Sequence, residues 1–326
     1  MKQGIKGTLF RIGISFGAIG LILYSLRDKL GEAIQILKTE VAWGWFFLAA
    51  LTYLCALLIQ AVRIQHVLKI QNIILKYSES FYLSYIGLFF NLFFPSAVGG
   101  DVGKAFYVYK HSGKKIESMT SVVLDRLLGF IALMLMAVGA IMVFSKEISD
   151  PHINQVVYSF LAVMLLVVFF FASRRFARLF KFVTGWVKSE KWKKRLTDVY
   201  YAIYNYKNHK LLMSFLILIS VAAHCMFIVL HYWLALGLGI DMPLWLFFVL
   251  VPVVAIVSMA PSLGGLGVRE AGLIYLFSRF VPSERALVLS ILVDMVIYGF
   301  SLTAGVIYSF RGGLRAQVIH EMEELQ

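Results

Sequence analysis

The sequence predicts an all-α, polytopic integral membrane protein with about six full spans plus two re-entrant helical hairpins in an inverted repeat. Three observations carry that expectation. Of the 326 residues, 60% are hydrophobic and 15% charged, whereas a soluble domain has about 45–50% apolar and about 25% charged residues. Several runs approach the roughly 20 apolar residues a bilayer demands. Two further runs are broken by Pro-Ser followed by Gly-Gly, in the same order. This composition excludes a soluble globular enzyme and a disordered chain. The 31 Lys+Arg against 18 Asp+Glu give +13, which on a soluble protein would point to nucleic acid. In a membrane chain the excess is a topology signal, and no nucleic-acid partner is expected.

The elements follow in chain order. An apolar segment at 8–26 comes after Lys2, Lys6 and Arg11, with no small-x-small cleavage site behind it, so it reads as an uncleaved first helix. Further runs lie at 41–62, 77–94, 118–144, 153–172, 211–236, 244–260 and 285–310. Basic residues cluster in alternate connections: Arg63, Lys69 and Lys76; Lys104, Lys110, Lys114 and Lys115; the stretch from Arg174 to Lys210; and Arg311 and Arg315. The connections between them are short and nearly neutral. The positive-inside rule therefore puts the basic set and both termini in the cytoplasm, for a multi-pass protein of the inner membrane. Arg63 and Lys69 end the second span in this reading. Cys55 and Cys225 lie inside apolar runs and read as small buried residues, not a disulfide. The basic 174–210 connection carries apolar residues at helical spacing, as an amphipathic helix on an anionic leaflet would; a plain topogenic loop is the alternative. A short tail, 311–326, follows the last span.

The two interrupted segments are Pro95-Ser96-Ala97-Val98-Gly99-Gly100-Asp101 and Pro261-Ser262-Leu263-Gly264-Gly265-Leu266-Gly267-Val268-Arg269-Glu270. About thirty residues beyond each Pro-Ser comes an aspartate in an apolar run, Asp125 and then Asp294, followed by Gly129-Phe130 and Gly299-Phe300. The matches in order predict a duplication over 41–145 and 211–310. The basic residues predict entry from opposite faces, and inverted repeats of this kind place a binding site near the midplane. Two ordinary spans kinked by proline and glycine are the bland alternative.

Asp101, Asp125, Arg126, Arg269, Glu270 and Asp294 lie in or beside apolar segments, where each charge costs about 2.5–3.5 kcal/mol on insertion scales. Such residues pair, line a cavity, or do both. Helix N-termini behind the glycine turns offer free N–H groups to an anion, and arginine recognises phosphate bidentately. Arg126 and Arg269, with Ser96, Ser262, Gly99, Gly100, Gly264 and Gly265, are therefore expected to hold a phosphate. Asp101, Glu270, Asp125 and Asp294 are expected to balance charge or carry a coupling ion, although Asp101 is also placed to cap a helix. Buried pairs that only fix packing are an equal alternative for Asp125 and Asp294. Adjacent Arg269 and Glu270 should face different ways, leaving Glu270 to pair with Arg126 across the repeats. Arg63 and Lys104 are possible headgroup contacts. His224 and His231 share a helix face but lack further ligands, so they read as buried hydrogen-bonded residues rather than a metal site. No cofactor or metal is expected.

The set Pro-Ser-x-x-Gly-Gly-Asp at 95–101, Leu-Asp-Arg at 124–126 and Pro-Ser-Leu-Gly-Gly-Leu-Gly-Val-Arg-Glu at 261–270 resembles the flippase-like membrane domain of lysylphosphatidylglycerol synthases. The resemblance covers nearly the whole chain. It implies transbilayer movement of a phospholipid, with the family's cavity acids and arginines falling on Asp101, Arg126, Arg269 and Glu270. Bifunctional members add a soluble aminoacyl-transferase domain. The sequence reaches Gln326 without one, so the expected substrate widens to another phospholipid or a polyprenyl-phosphate-linked carrier. The expected function is lipid translocation rather than catalysis. A secondary transporter of a small polar solute, a membrane enzyme acting on lipid-linked sugars, and a membrane partner of a separate lipid-modifying enzyme are the alternatives. The short outer loops argue against the enzyme.

Overall fold

The computed structural model describes residues 13, 16–93, 99–144, 162, 206, 209–258, 262 and 265–310. The expected 153–172 span, nearly all of the 174–210 connection, the 311–326 tail, Ser96 and Gly264 lie outside the described residues.

The described residues form helices and no strand. They are α1 (Phe16–Ser25), α2 (Leu30–Thr39), α3 (Trp43–Ile70), α4 (Tyr77–Phe93), α5 (Gly99–Ser112), α6 (Lys115–Phe144), α7 (Lys210–Gly237), α8 (Leu244–Val257), α9 (Val268–Phe277) and α10 (Ser283–Phe310). Among them α3, α6, α7 and α10 are long and apolar enough to cross a membrane. At about 1.5 Å per residue, the 14-residue α5 and α8 and the 10-residue α9 fall short of a hydrocarbon core of roughly 30 Å.

Helix α3 runs on to Ile70, through the Arg63 that the sequence reading set at its end. The reason is local: Arg63 is only 6% exposed and is neutralised inside the bundle, so it does not have to reach water.

The central contact is α3 against α7. Small buried residues face it, Ala49, Ala56 and Ala61 on α3 with Ser220, Ala223 and Ala235 on α7, and small side chains let apolar helices approach closely. Gly237 ends α7 where an added Cβ would meet Trp45 Cβ at 3.0 Å, and Trp45 stacks on Trp233 at 5.2 Å. The Ala42 N–H donates to the Gly237 carbonyl at 2.9 Å, joining the start of α3 to the end of α7.

Around that pair each half builds the same sequence of contacts. Helix α4 packs on α5 and α5 on α6; α8 packs on α9 and α9 on α10. The α4–α5 crossing is tight. A Cβ on Gly103 would run into the Phe90 ring, and one on Gly100 into Asn91 and the Gly87 carbonyl. On the other side α9 starts from Gly265 and Gly267, whose φ values of 88° and 82° lie in the left-handed region that favours glycine. That conformation lets the Arg269 N–H reach the Gly265 carbonyl at 2.8 Å and open the helix. Helix α2 lies against α10 with Ala33 and Ile36 inward, and Lys29 to Glu284 (2.9 Å) and Arg285 to Glu40 (2.7 Å) hold its two ends.

Candidate functional site

The charged residues singled out in the apolar segments gather into three clusters. In the first half, Asp101 in the opening turn of α5 forms an ion pair with Arg126 of α6. The guanidinium also lies over the Phe130 ring, 5.4 Å from its centroid, and its side chain is 31% exposed. Beside this pair an apolar groove of about 100 Å³ runs between α5 and α6, lined by Asp101, Val102, Ala105, Met119, Val122 and Val123.

In the second half, Arg269 in the opening turn of α9 pairs with Asp294 of α10 at 2.5 Å and with its neighbour Glu270 at 3.0 Å. The same Nη2 lies 3.0 Å from the Tyr298 hydroxyl, and the guanidinium sits over the Tyr298 ring at 5.4 Å. Glu270 therefore pairs with Arg269, not with Arg126 across the halves. Adjacent helical residues leave the axis about 100° apart, but the long arginine side chain folds back over the carboxylate.

The third cluster is deep in the first half. Arg63 of α3 makes a bidentate bridge to Asp125 of α6, Nε to Oδ1 at 2.7 Å and Nη2 to Oδ2 at 3.0 Å. Its Nη1 donates to Ser220 of α7 at 3.0 Å. Both charged side chains are 8% exposed. The guanidinium crosses α6 where a Cβ on Gly129 would come within 3.1 Å of it. His224 Nε2 donates to the Gly129 carbonyl at 3.0 Å, and His231 Nδ1 to the Phe227 carbonyl at 2.8 Å. Each histidine thus takes its own backbone partner, as the sequence reading had it.

The remaining candidates fall as follows. The Gly100 N–H donates to Asn91 Oδ1 at 2.9 Å, so the protein itself satisfies that donor. Gly99 and Gly265 are buried, as is Ser262. The Lys104 stem lies across Gly87. The sequence reading gave Arg63 no ionic partner, because it stopped the second span one residue short of Arg63. It also passed over Tyr298 and Ser220. One signal for the pairings was present: Asp101 and Arg126 are 25 residues apart, and so are Arg269 and Asp294.

Chemically, these are compact charge pairs: two tie a short helix to one of membrane-crossing length, and the third ties two long helices together. One of them, at Arg126, is partly open beside an apolar groove. The family model described as lysylphosphatidylglycerol synthase TM region matches residues 8–305. No curated protein matches the chain.

Proposed function

The chain belongs to the lysylphosphatidylglycerol synthase TM region family, and from that premise we propose that it moves a phospholipid or related lipid phosphate across the bilayer. The observation that carries this reading is Arg126. It is a guanidinium on a membrane-length helix, a third open, next to an apolar groove that starts at its own partner Asp101. A lipid has the matching shape in chemistry: an anionic phosphate for the arginine and an acyl chain for the groove.

In this proposal α4–α5 and α8–α9 are the two re-entrant hairpins of an inverted repeat. Support comes from the short α5, α8 and α9 and the matching order of contacts in both halves. Six spans frame them, with both termini cytoplasmic in the inner membrane. Arg126 and Arg269 act as successive phosphate stations, while Asp101, Glu270 and Asp294 keep each guanidinium neutralised between passages. The tails stay in the lipid, no covalent bond changes, and a lipid-modifying enzyme is a natural partner for supply or removal of the substrate.

The test is lipid scrambling in proteoliposomes with a headgroup-accessible fluorescent phospholipid. Arg126→Ala and Glu270→Ala should both abolish movement while the protein elutes as a folded species. Full activity in both variants overturns this site. Uptake of a polar solute without any lipid movement would favour the solute-transporter alternative.

A further inference from the structure

Among the described residues the Arg269 cluster is not charge-balanced. One guanidinium faces two carboxylates, Glu270 and Asp294, within 3.0 and 2.5 Å of the same Nη2. Glu270 is nine-tenths buried, and its Oε2 has no hydrogen-bond partner among the described residues; neither has Arg269 Nε. Glu270 Oε1 and Asp294 Oδ1 both lie against the one Arg269 Nη2, so the two carboxyl groups crowd a single nitrogen. Two ionised carboxylates crowded on one guanidinium repel each other, and a proton on either one relieves the repulsion and gives the unpartnered oxygen a use. With both ionised, the cluster would bury a net negative charge in apolar surroundings, which costs far more than neutralising it.

Among the described residues the neighbouring helices do not supply the missing positive charge. Helix α8, packed on α9, has no titratable side chain between Leu244 and Val257. From α10 come Asp294 itself and Tyr298; Tyr53 of α3 and His231 of α7 lie within electrostatic reach of Arg269. The tyrosines are neutral. His231 is 2% exposed and already bonded to a backbone carbonyl, and a second cation there would sit beside Arg269 with no carboxylate of its own.

We propose that Glu270 and Asp294 form a proton-binding site, holding one proton between their carboxyl groups at rest, and that uptake and return of a second proton there drive lipid movement. The proton balance is simple. In the resting cluster one carboxylic acid donates to the other carboxylate, and Arg269 balances the remaining charge. When a lipid phosphate engages Arg269, that guanidinium no longer neutralises the acids. The displaced carboxylate then takes up a second proton from the aqueous side, and it returns that proton when the phosphate leaves. The coupling half of this proposal rests on the lipid reading above; the resting proton does not.

The test separates them. Infrared spectra of the purified protein in lipid nanodiscs at neutral pH should show a protonated carboxylic C=O band that shifts in heavy water. The band should be lost in both Glu270→Gln and Asp294→Asn, because each leaves a single carboxylate paired with Arg269. It should survive in His231→Gln. Absence of the band in the wild type, or its persistence in both acid variants, overturns the proton site. So does stabilisation of the wild type by sodium in place of the band, since a metal ion would then balance the cluster. In wild-type proteoliposomes an imposed pH gradient should accelerate lipid movement in one direction, and a protonophore should abolish the difference. The band without any gradient response overturns the coupling and leaves the proton. The band with no lipid movement under any condition overturns the lipid reading alone.

Discussion

The two halves of the molecule place an ion pair in the same position and give it opposite polarity. In the first half the acid, Asp101, opens the short helix and the arginine, Arg126, sits on the long one; in the second half Arg269 opens the short helix and Asp294 sits on the long one. Each arginine also covers an aromatic ring about one turn beyond the pair's member on the long helix, Phe130 after Arg126 and Tyr298 after Asp294, at the same 5.4 Å. The difference lies in what surrounds them. The first pair is partly open to the groove. The second is buried and has a surplus acid, Glu270. A partly open pair can exchange its partner for a ligand, whereas two buried acids on one guanidinium need a proton or a cation. Among the described residues the first half adds a pair the second lacks, the Arg63–Asp125 bridge to α3.

The largest effect should come from that extra bridge. Arg63→Met or Asp125→Leu alone leaves a buried unpaired charge and should cost about 3–5 kcal/mol, read as a drop in the unfolding temperature in detergent. The double variant, with both charges gone, should recover most of it. Equal loss in single and double variants would mean that the bridge itself, not the orphaned charge, holds α3 to α6.

Next come the helix crossings. Gly103→Leu forces a side chain into Phe90 and should lose about 1–3 kcal/mol by the same measurement. Gly272→Ala on α9, where the new Cβ would lie 3.3 Å from Val257 Cγ1, should cost less. Equal costs would show the α8–α9 crossing to be as tight as α4–α5.

A charge exchange probes the polarity directly. Asp101→Arg with Arg126→Asp should be more stable than the sum of its single variants predicts, with a coupling of about 0.5–3 kcal/mol. The matching exchange of Arg269→Asp with Asp294→Arg should recover less, because it sets an aspartate directly beside Glu270. Equal recovery in both halves would remove the surplus acid as the distinguishing feature. The smallest effect belongs to the rim: Glu40→Ala, which leaves Arg285 with its Leu238 carbonyl and removes an exposed ion pair, should change stability by less than about 1 kcal/mol.

The two interruptions were legible in the sequence, but the register of the charges that follow them was not. The motifs aligned Asp125 with Asp294, since each precedes a Gly-Phe. In space Asp294 plays the part of Arg126, its neighbour, and Asp125 turns to α3. A one-residue difference on a helix is a rotation of about 100°, enough to send a side chain to another partner. Sequence similarity between the halves carries no information about that rotation when the charge sign has been exchanged. The Arg63–Asp125 partnership was hidden for a different reason. Its members are 62 residues apart on helices brought together by packing alone.

The sequence by itself determined the all-helical membrane class, the positions of both interruptions and the short list of charges placed in apolar runs. Those follow from local quantities: run length, the glycine and proline breaks, and the cost of a charge in hydrocarbon. Only the tertiary structure decided which charge meets which, that Glu270 folds onto Arg269, and that the second cluster holds one acid too many. Pairing is set by helix rotation and crossing, and these depend on residues far apart in the chain, such as Gly103 against Phe90 and Gly237 against Trp45.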